Sequence, residues 1–355
     1  FHITRLFADS VRLFATAIPL TVMTGWDYRV SLAVIGGATF IYTFYGGIRA
    51  VIVTDALQLV LYLFCVALGA YCVMDELSLS LGGVFALIPS ADLAFVSSGL
   101  GGGAAKLFGS YNLLTGVVGG AFLSFASHGT DHLLVQRVLA CRDVASAKRA
   151  MVASGVVVIV QIALFLLFGL FIKVLLGGRP FGSSDSVVPY FIVNHLPAGL
   201  RGLMLAGIFA AAMSTLSSSI NSLASSTALD LLRLEERALT ERAKVGAARA
   251  IALFWTLAII GVSVLFHDSK NPLVEVGLSI SSVTYGGVLG IFLLGRFARG
   301  VDARAALLGV FAGVAAVVMA MAFTAVFWLW YVAVGFAVCV TAALAASRAI
   351  SWGLR

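Results

Sequence analysis

Read from its first residue, the chain alternates long apolar runs with short clusters of glycine, proline and charge. The runs lie at roughly 3–24, 30–47, 54–74, 112–137, 146–176, 199–229, 243–266, 272–296, 304–324 and 327–348. Each approaches the ~20 residues that an α-helix needs to cross hydrocarbon, so about ten transmembrane helices are expected. Two longer connections separate them. Asp75 to Tyr111 carries Gly82-Gly83, Pro89 and the tract Gly99 to Gly103, and reads as a surface loop with room for a short interfacial helix. Gly177 to Pro197 sets Pro180, Pro189 and Pro197 around the apolar patch Tyr190-Phe191-Ile192-Val193, and reads as a partly re-entrant or lid-like segment. Neither is long enough to be a separate domain.

Composition narrows the class. Of 355 residues 61% are apolar and 11% charged, with a mean hydropathy of +1.06. A soluble domain carries about 25% charged residues. That shortage excludes an ordinary soluble enzyme, a disordered tail and a nucleic-acid module, and leaves an all-α polytopic membrane protein. The formal charge is +7, and its placement matters more than its size. Lys and Arg collect in alternate loops, at Arg137 to Arg149, Arg233 to Arg249, Arg296 to Arg304 and near Arg348. Those loops are expected on the cytoplasmic side, with the first span running outward. The basic pI then needs no nucleic acid to explain it. Cys65, Cys72, Cys141 and Cys339 form no CxxC pair and read as reduced thiols. No secretory signal peptide precedes the first span, and residue 1 is Phe, so a processed product or fragment is expected.

Polar groups inside spans are costly and mark cavities or pathways. Asp9 and Arg12 share one face of the first span, where they either neutralise each other between helices or meet a substrate. The fourth run carries Ser124, Ser127, His128, Gly129, Thr130, Asp131 and His132 past its middle. Either the helix unwinds near Gly129 beside a cavity, or it ends there and the polar residues are cytoplasmic. Against the second reading, Leu133-Leu134-Val135 continues the apolar pattern. His128 and His132 lack the HExxH or Cys partners of a zinc site. The sixth run places Gly207, Ala211, Ser214, Ser218, Ser222 and Ser225 on one face. Close packing through small residues accounts for that stripe as well as a weak cation site does, the latter built from the Ser214 and Thr215 hydroxyls and the Ala211 carbonyl. Walker, TVGYG, voltage-sensor and protease signatures are absent from the sequence.

Three ordered motifs carry a family resemblance. Tyr42 to Gln58 holds Tyr42-Thr43, Gly46-Gly47, Ala50-Val51, Thr54-Asp55 and Gln58; Ser127 to Arg137 holds a glycine-centred break ending in Gln136-Arg137; and Leu205 to Ser218 is followed by Asn221-Ser222. The weaker tract Asn271 to Gly290 accords with them. Together they resemble the sodium:solute symporters, the group of sodium/glucose and sodium/proline carriers. The resemblance implies a leucine-transporter-like core of two inverted five-helix repeats. By motif order the first three spans correspond to core helices three to five, so the first two core helices are expected to be missing. The implied division is 1–75 as a partial first repeat, 112–297 as the second repeat and 304–350 as peripheral helices, all in one transmembrane domain.

The resemblance also assigns roles. Ala211, Ser214 and Thr215 would bind sodium, and Ser124, Ser127, His128 and Asp131 fall where the family contacts substrate, with a gate or cytoplasmic-path role equally open for Asp131. The expected activity is sodium-coupled symport of a small organic solute across the cytoplasmic membrane, with the solute, Na+ and lipid as partners, no nucleic acid, and no enzymatic reaction. The rival is a transporter-like sensor module of a signalling protein, and a third reading is a channel.

Overall fold

The computed structural model describes residues 2–45, 48–94, 97, 108–267, 272–298 and 300–353. Gly46-Gly47, the Gly99 to Gly103 tract and Asn271 lie outside the described residues, as do the side chains of Tyr42, Ala50, Val51, Thr54, His132, Gln136 and Arg137. The described secondary structure is entirely helical: α1 His2–Thr24, α2 Tyr28–Tyr45, α3 Ile48–Leu77, α4 Leu81–Leu87, α5 Gly120–Thr130, α6 His132–Leu139, α7 Val144–Leu175, α8 Val187–His195, α9 Ala198–Ser226, α10 Glu241–Ser263, α11 Leu273–Phe297, α12 Ala303–Phe323 and α13 Tyr331–Gly353. Among the described residues, eight helices are long and apolar enough to cross a membrane. The run at 30–47 forms α2, whose apolar stretch Tyr28–Ile41 is shorter than a span. The run at 112–137 is interrupted, with a π-helical turn at Thr115–Gly119 leading into α5 and a second break before α6.

Local chemistry sets several boundaries. The carboxylates of Asp143 and Asp302 accept from the backbone N–H of Ser146 (2.7 Å) and Ala305 (2.8 Å), starting α7 and α12, and the Thr240 hydroxyl does the same for α10 through Ala243 (3.3 Å). Each satisfies a donor that the first turn leaves orphaned. The N–H bonds hold the Asp143 carboxyl below its ordinary range.

The core is built around α1. Its Val11, Leu13, Phe14 and Ala17 pack with Leu216, Ile220 and Leu223 of α9, Ile259 of α10 and Leu273 of α11. Half of the spanning stretch of α1 is buried, against 17% of that of α7. Exposed Val156 to Val160, Ile162 and Leu164 to Leu166 make α7 apolar all round, the pattern of a helix whose outer faces meet lipid. The connection at 177–197 is more ordered than a loop. Residues 187–195 form α8, whose Phe191 and Ile192 are fully buried against Phe168 and Phe171 of α7. In the other connection, α3 continues to Leu77 and α4 follows.

On the far side, α11, α12 and α13 approach almost backbone to backbone. A Cβ on Gly286 would stand 2.5 Å from the Val332 carbonyl oxygen and 2.7 Å from the Phe336 nitrogen. Gly286→Ala must therefore push α11 off α13, and an overpacked core of this kind costs about 1–3 kcal/mol. The expected result is a clearly lowered melting temperature in detergent, while Gly295→Ala, inside the same helix but where a Cβ meets nothing within 4 Å, does not lower it. A second prediction concerns the Tyr111 hydroxyl, which donates to Glu275 Oε1 at 2.7 Å and ties the start of the broken helix to the first turn of α11. Partial burial, and next the bond to Glu275, push this phenol up to about 12. A raised folded-state value means the contribution is complete below the ordinary tyrosine value and is lost as pH rises through about 12. Melting temperature measured against pH should fall over that window in the parent and less steeply in Tyr111→Phe.

Candidate functional site

The sequence points to a break in the fourth run near Gly129, and the helix breaks two residues later, at Asp131. Gly129 and Thr130 stay helical, the Thr130 hydroxyl donating to the Ala126 carbonyl at 2.6 Å. Asp131 leaves the helix with φ −73° and ψ 118°, and α6 begins immediately after it. What ends α5 is the fate of the Asp131 carboxylate, which turns towards two other helices. Arg5 Nη1 of α1 lies 3.3 Å from Asp131 Oδ2, and the Tyr285 hydroxyl of α11 donates to the same oxygen at 2.5 Å. Tyr285 lies inside the weaker tract Asn271 to Gly290, and nothing in the spacing of Arg5 marks it as a partner of a residue 126 positions away.

Arg5 gathers more than Asp131. Its Nε donates to Asp9 Oδ2 at 2.9 Å and its Nη2 to Ser219 Oγ of α9 at 2.6 Å. Asp9 is fully buried and its other oxygen accepts from Arg12 Nη1 at 2.7 Å. The expected Asp9–Arg12 pair is thus real and neutralising, and it is half of a larger set. Arg5 and the half-exposed Arg12 balance the buried carboxylates of Asp9 and Asp131, two positive against two negative charges, as a low-dielectric interior demands of carboxylates buried there.

The α9 residues divide. The Thr215 hydroxyl points back to the Ala211 carbonyl at 3.4 Å, so those two oxygens stand together. The Ser214 hydroxyl instead donates to Asp55 of α3, and the Ser214 carbonyl accepts from Ser217 at 3.1 Å. The α3–α9 contact therefore holds the Asp55 carboxylate and the Ser214 hydroxyl, and the adjacent turn of α9 holds the Thr215 hydroxyl and the Ala211 carbonyl, all hard oxygen donors of the kind that suits an alkali ion. The close approach depends on Gly207, where a Cβ would lie 2.9 Å from Cys65 Sγ of α3. Asp55 is the residue sequence reasoning missed here. Its signal was present, since a carboxylate opening an apolar run is a functional candidate by default.

The remaining candidates lie on α5. Ser127 Oγ is 3.0 Å from His128 Nδ1, which is also 3.0 Å from the Ser124 carbonyl oxygen, so Ser124, Ser127 and His128 form one cluster. Asp131 is set apart from it by its bond to Arg5. Among the described residues no group of three or more His, Cys, Asp or Glu side chains is placed to hold a metal ion.

Comparison with known proteins places the chain and its fold. The model of the sodium:solute symporter family matches residues 3–313. The sodium-dependent multivitamin transporter of Oryctolagus cuniculus is 29% identical over 316 residues, covering 85% of this chain and 48% of its own length. The sodium/sialic acid symporter NanT of Aliivibrio fischeri is 24% identical over 341 residues, covering 94% of this chain and 66% of its own. The chain thus spans half to two thirds of these relatives. A solved structure of a Na+-coupled sialic acid symporter in a substrate-bound outward-open state superposes with a TM-score of 0.82 at 23% identity, covering 98% of this chain and 72% of that one, and so shares its fold.

The charge network yields a graded prediction. Arg5→Ala leaves Asp131 and Asp9 short of a buried partner and should cost about 3–5 kcal/mol. The Arg12 side chain is 37% exposed, so Arg12→Ala should cost no more than about 1 kcal/mol. Thermal denaturation of the two purified variants in detergent checks the order.

Proposed function

Because the chain belongs to the sodium:solute symporter family, a family of multi-pass integral membrane transporters, we propose that it serves sodium-coupled symport of a small organic solute across the cytoplasmic membrane. The observation that carries this reading is the oxygen-rich stretch of α9, where Ser214 meets Asp55 of α3 and, beside it, Thr215 meets the Ala211 carbonyl. Sodium is a substrate here, carried with the solute. Ala211, Ser214 and Thr215 are its proposed ligands, with Asp55 supplying negative charge beside them. Ser124, Ser127 and His128 on α5 face the solute in this reading, and Asp131 sets the end of that helix. We also read 1–75 as part of a first repeat, 112–297 as a second repeat and 304–350 as peripheral. The alternate-loop surplus of Lys and Arg supports a cytoplasmic-membrane orientation with those loops inside.

Coupling follows from linkage. If sodium on α9 favours the arrangement that binds solute, solute favours sodium by the same free energy. Arg5 supplies a physical route, since it bonds Ser219 on the sodium-bearing helix and Asp131 at the break. Uptake by the protein in sodium-loaded and sodium-free proteoliposomes tests the reading. Ser214→Ala and Thr215→Ala should each raise the half-saturating sodium concentration roughly three- to tenfold, the cost of about 1 kcal/mol for one lost oxygen. Uptake that ignores the sodium gradient, or unaltered sodium activation in both variants, would contradict it.

A further inference from the structure

Beside the cavity of about 200 Å³ at the break, walled by Arg5, Asp131 and Tyr285, the structure holds another of the same volume, to which symport assigns no role. It opens where the C-terminal half of α1 meets the start of α2, the turn at Ser184–Ser186, the residue His267 after α10 and the first residue of α11. In the orientation proposed above this is the outer end of the bundle.

Most of the wall is apolar. Ile18 and Val22 of α1 and Leu273 of α11 supply aliphatic surface. Phe14, Tyr28 and His267 supply an aromatic corner, in which the Tyr28 and His267 rings stack at 4.2 Å with 7° between their planes and Phe14 stands steeply to both, at 75° and 81°. Against that surface stands the carboxylate of Asp185. Its Oδ2 accepts from the Leu273 N–H at 3.2 Å and from the Ser183 hydroxyl at 3.3 Å, which fixes the side chain and holds the turn against α11. Among the described residues its Oδ1 accepts no hydrogen bond and no cation pairs with it. Arg29 is engaged elsewhere, its Nε donating to the Tyr28 hydroxyl at 3.2 Å beside the charge of Asp27, and it is not part of the wall.

That wall selects its occupant. An anion would face Asp185 with no Lys or Arg in the wall to hold it. A wholly apolar molecule would strip water from Oδ1 and return nothing, the costly case of an unpaired charge. For a metal ion the wall offers Asp185 and His267, and no group of three such ligands exists among the described residues. A positive charge with N–H donors at one end and a few carbons at the other answers both parts of the surface.

We propose that this cavity binds a primary ammonium group on a short carbon chain, its N–H bonds donated to Asp185 Oδ1 and its carbons set against Phe14, Ile18 and Leu273. Charge-assisted bonds of this kind are about twice as strong as neutral ones. The volume is below the roughly 300–1,000 Å³ of pockets for drug-sized ligands, so the chain is short. A free amine and the ethanolamine headgroup of a phospholipid offer the same chemistry. Because the wall joins α1 to α11, an occupant ties these helices together at their outer ends.

Thermal shift of the purified complete protein in lipid-free detergent at fixed sodium, titrated with n-butylammonium, n-butanol and butyrate, tests this. n-Butylammonium should raise the melting temperature and half-saturate at least about tenfold below n-butanol, and butyrate should give no shift. Asp185→Asn keeps an oxygen for the Leu273 N–H and removes the charge, and should raise the half-saturating ammonium concentration about tenfold. Val22→Phe, at an exposed position of the wall, fills the cavity with Asp185 left in place and should abolish the shift. Ser214→Ala should keep it, which separates this cavity from the oxygens of α9. In vesicles, stabilisation by phosphatidylethanolamine over phosphatidylcholine, whose trimethylammonium has no N–H to donate, assigns the site to lipid when Asp185→Asn removes it. Equal stability in the two lipids, with butylammonium still bound, assigns it to a free amine. No shift with butylammonium, an equal shift with butanol, stabilisation by butyrate, a shift lost in Ser214→Ala, or an ammonium response unmoved in both Asp185→Asn and Val22→Phe would overturn the proposal. The sodium dependence of uptake decides symport separately, whatever these titrations give.

Discussion

A carboxylate inside an apolar bundle must be compensated, and the compensation of Asp131 organises the molecule. Its partners come from α1 and α11, helices separated from it by 126 and 154 positions. One oxygen atom thereby pins three elements that the chain has no local reason to bring together. Removing one partner from such a buried ion pair costs several times what a surface pair is worth. The position of the break, the wall of the cavity and the link to α9 through Ser219 all follow from that constraint.

The sequence made some of this legible and hid the rest for identifiable reasons. Run length located the spanning helices because hydrocarbon thickness sets a minimum that composition alone reveals. It treated 112–137 as one helix, since Leu133-Leu134-Val135 restores the apolar pattern after Asp131 and periodicity does not register a single extended residue. The motif residues Ala211, Ser214 and Thr215 were found as a face of one helix. Helical spacing states which residues share a face and is silent about what lies opposite, so the motif Thr54-Asp55 gives no sign that Asp55 meets Ser214. Arg5 was harder still. It sits one turn from Asp9, whose spacing to Arg12 already supplied an adequate partner, and its second role depends wholly on tertiary placement.

The helices also divide in how they are held. The set around α1 joins by interdigitated aliphatic side chains together with buried polar bonds such as Ser10 Oγ to the Ile259 carbonyl at 3.0 Å. On the other side, α11, α12 and α13 meet through Gly286, Gly309, Gly313 and Gly335, with little between their backbones. The first kind of contact has rotamers to exchange and hydrogen bonds to re-form.

The second kind has few of either, the bond from Cys339 Sγ to the Gly287 carbonyl at 3.4 Å being one. Where main chain rests on main chain there are no side-chain torsions to take up a small displacement, so sliding by a fraction of an ångström is opposed at once by hard-core repulsion. Mechanically, α11 to α13 form a stiff plate, and Tyr285 is a lever arm fixed to it, one residue before Gly286. Relative motion between this plate and α1 would have to break the bonds at Asp131 together with the Thr284–Thr4 bond and the seat of Leu273 on α1.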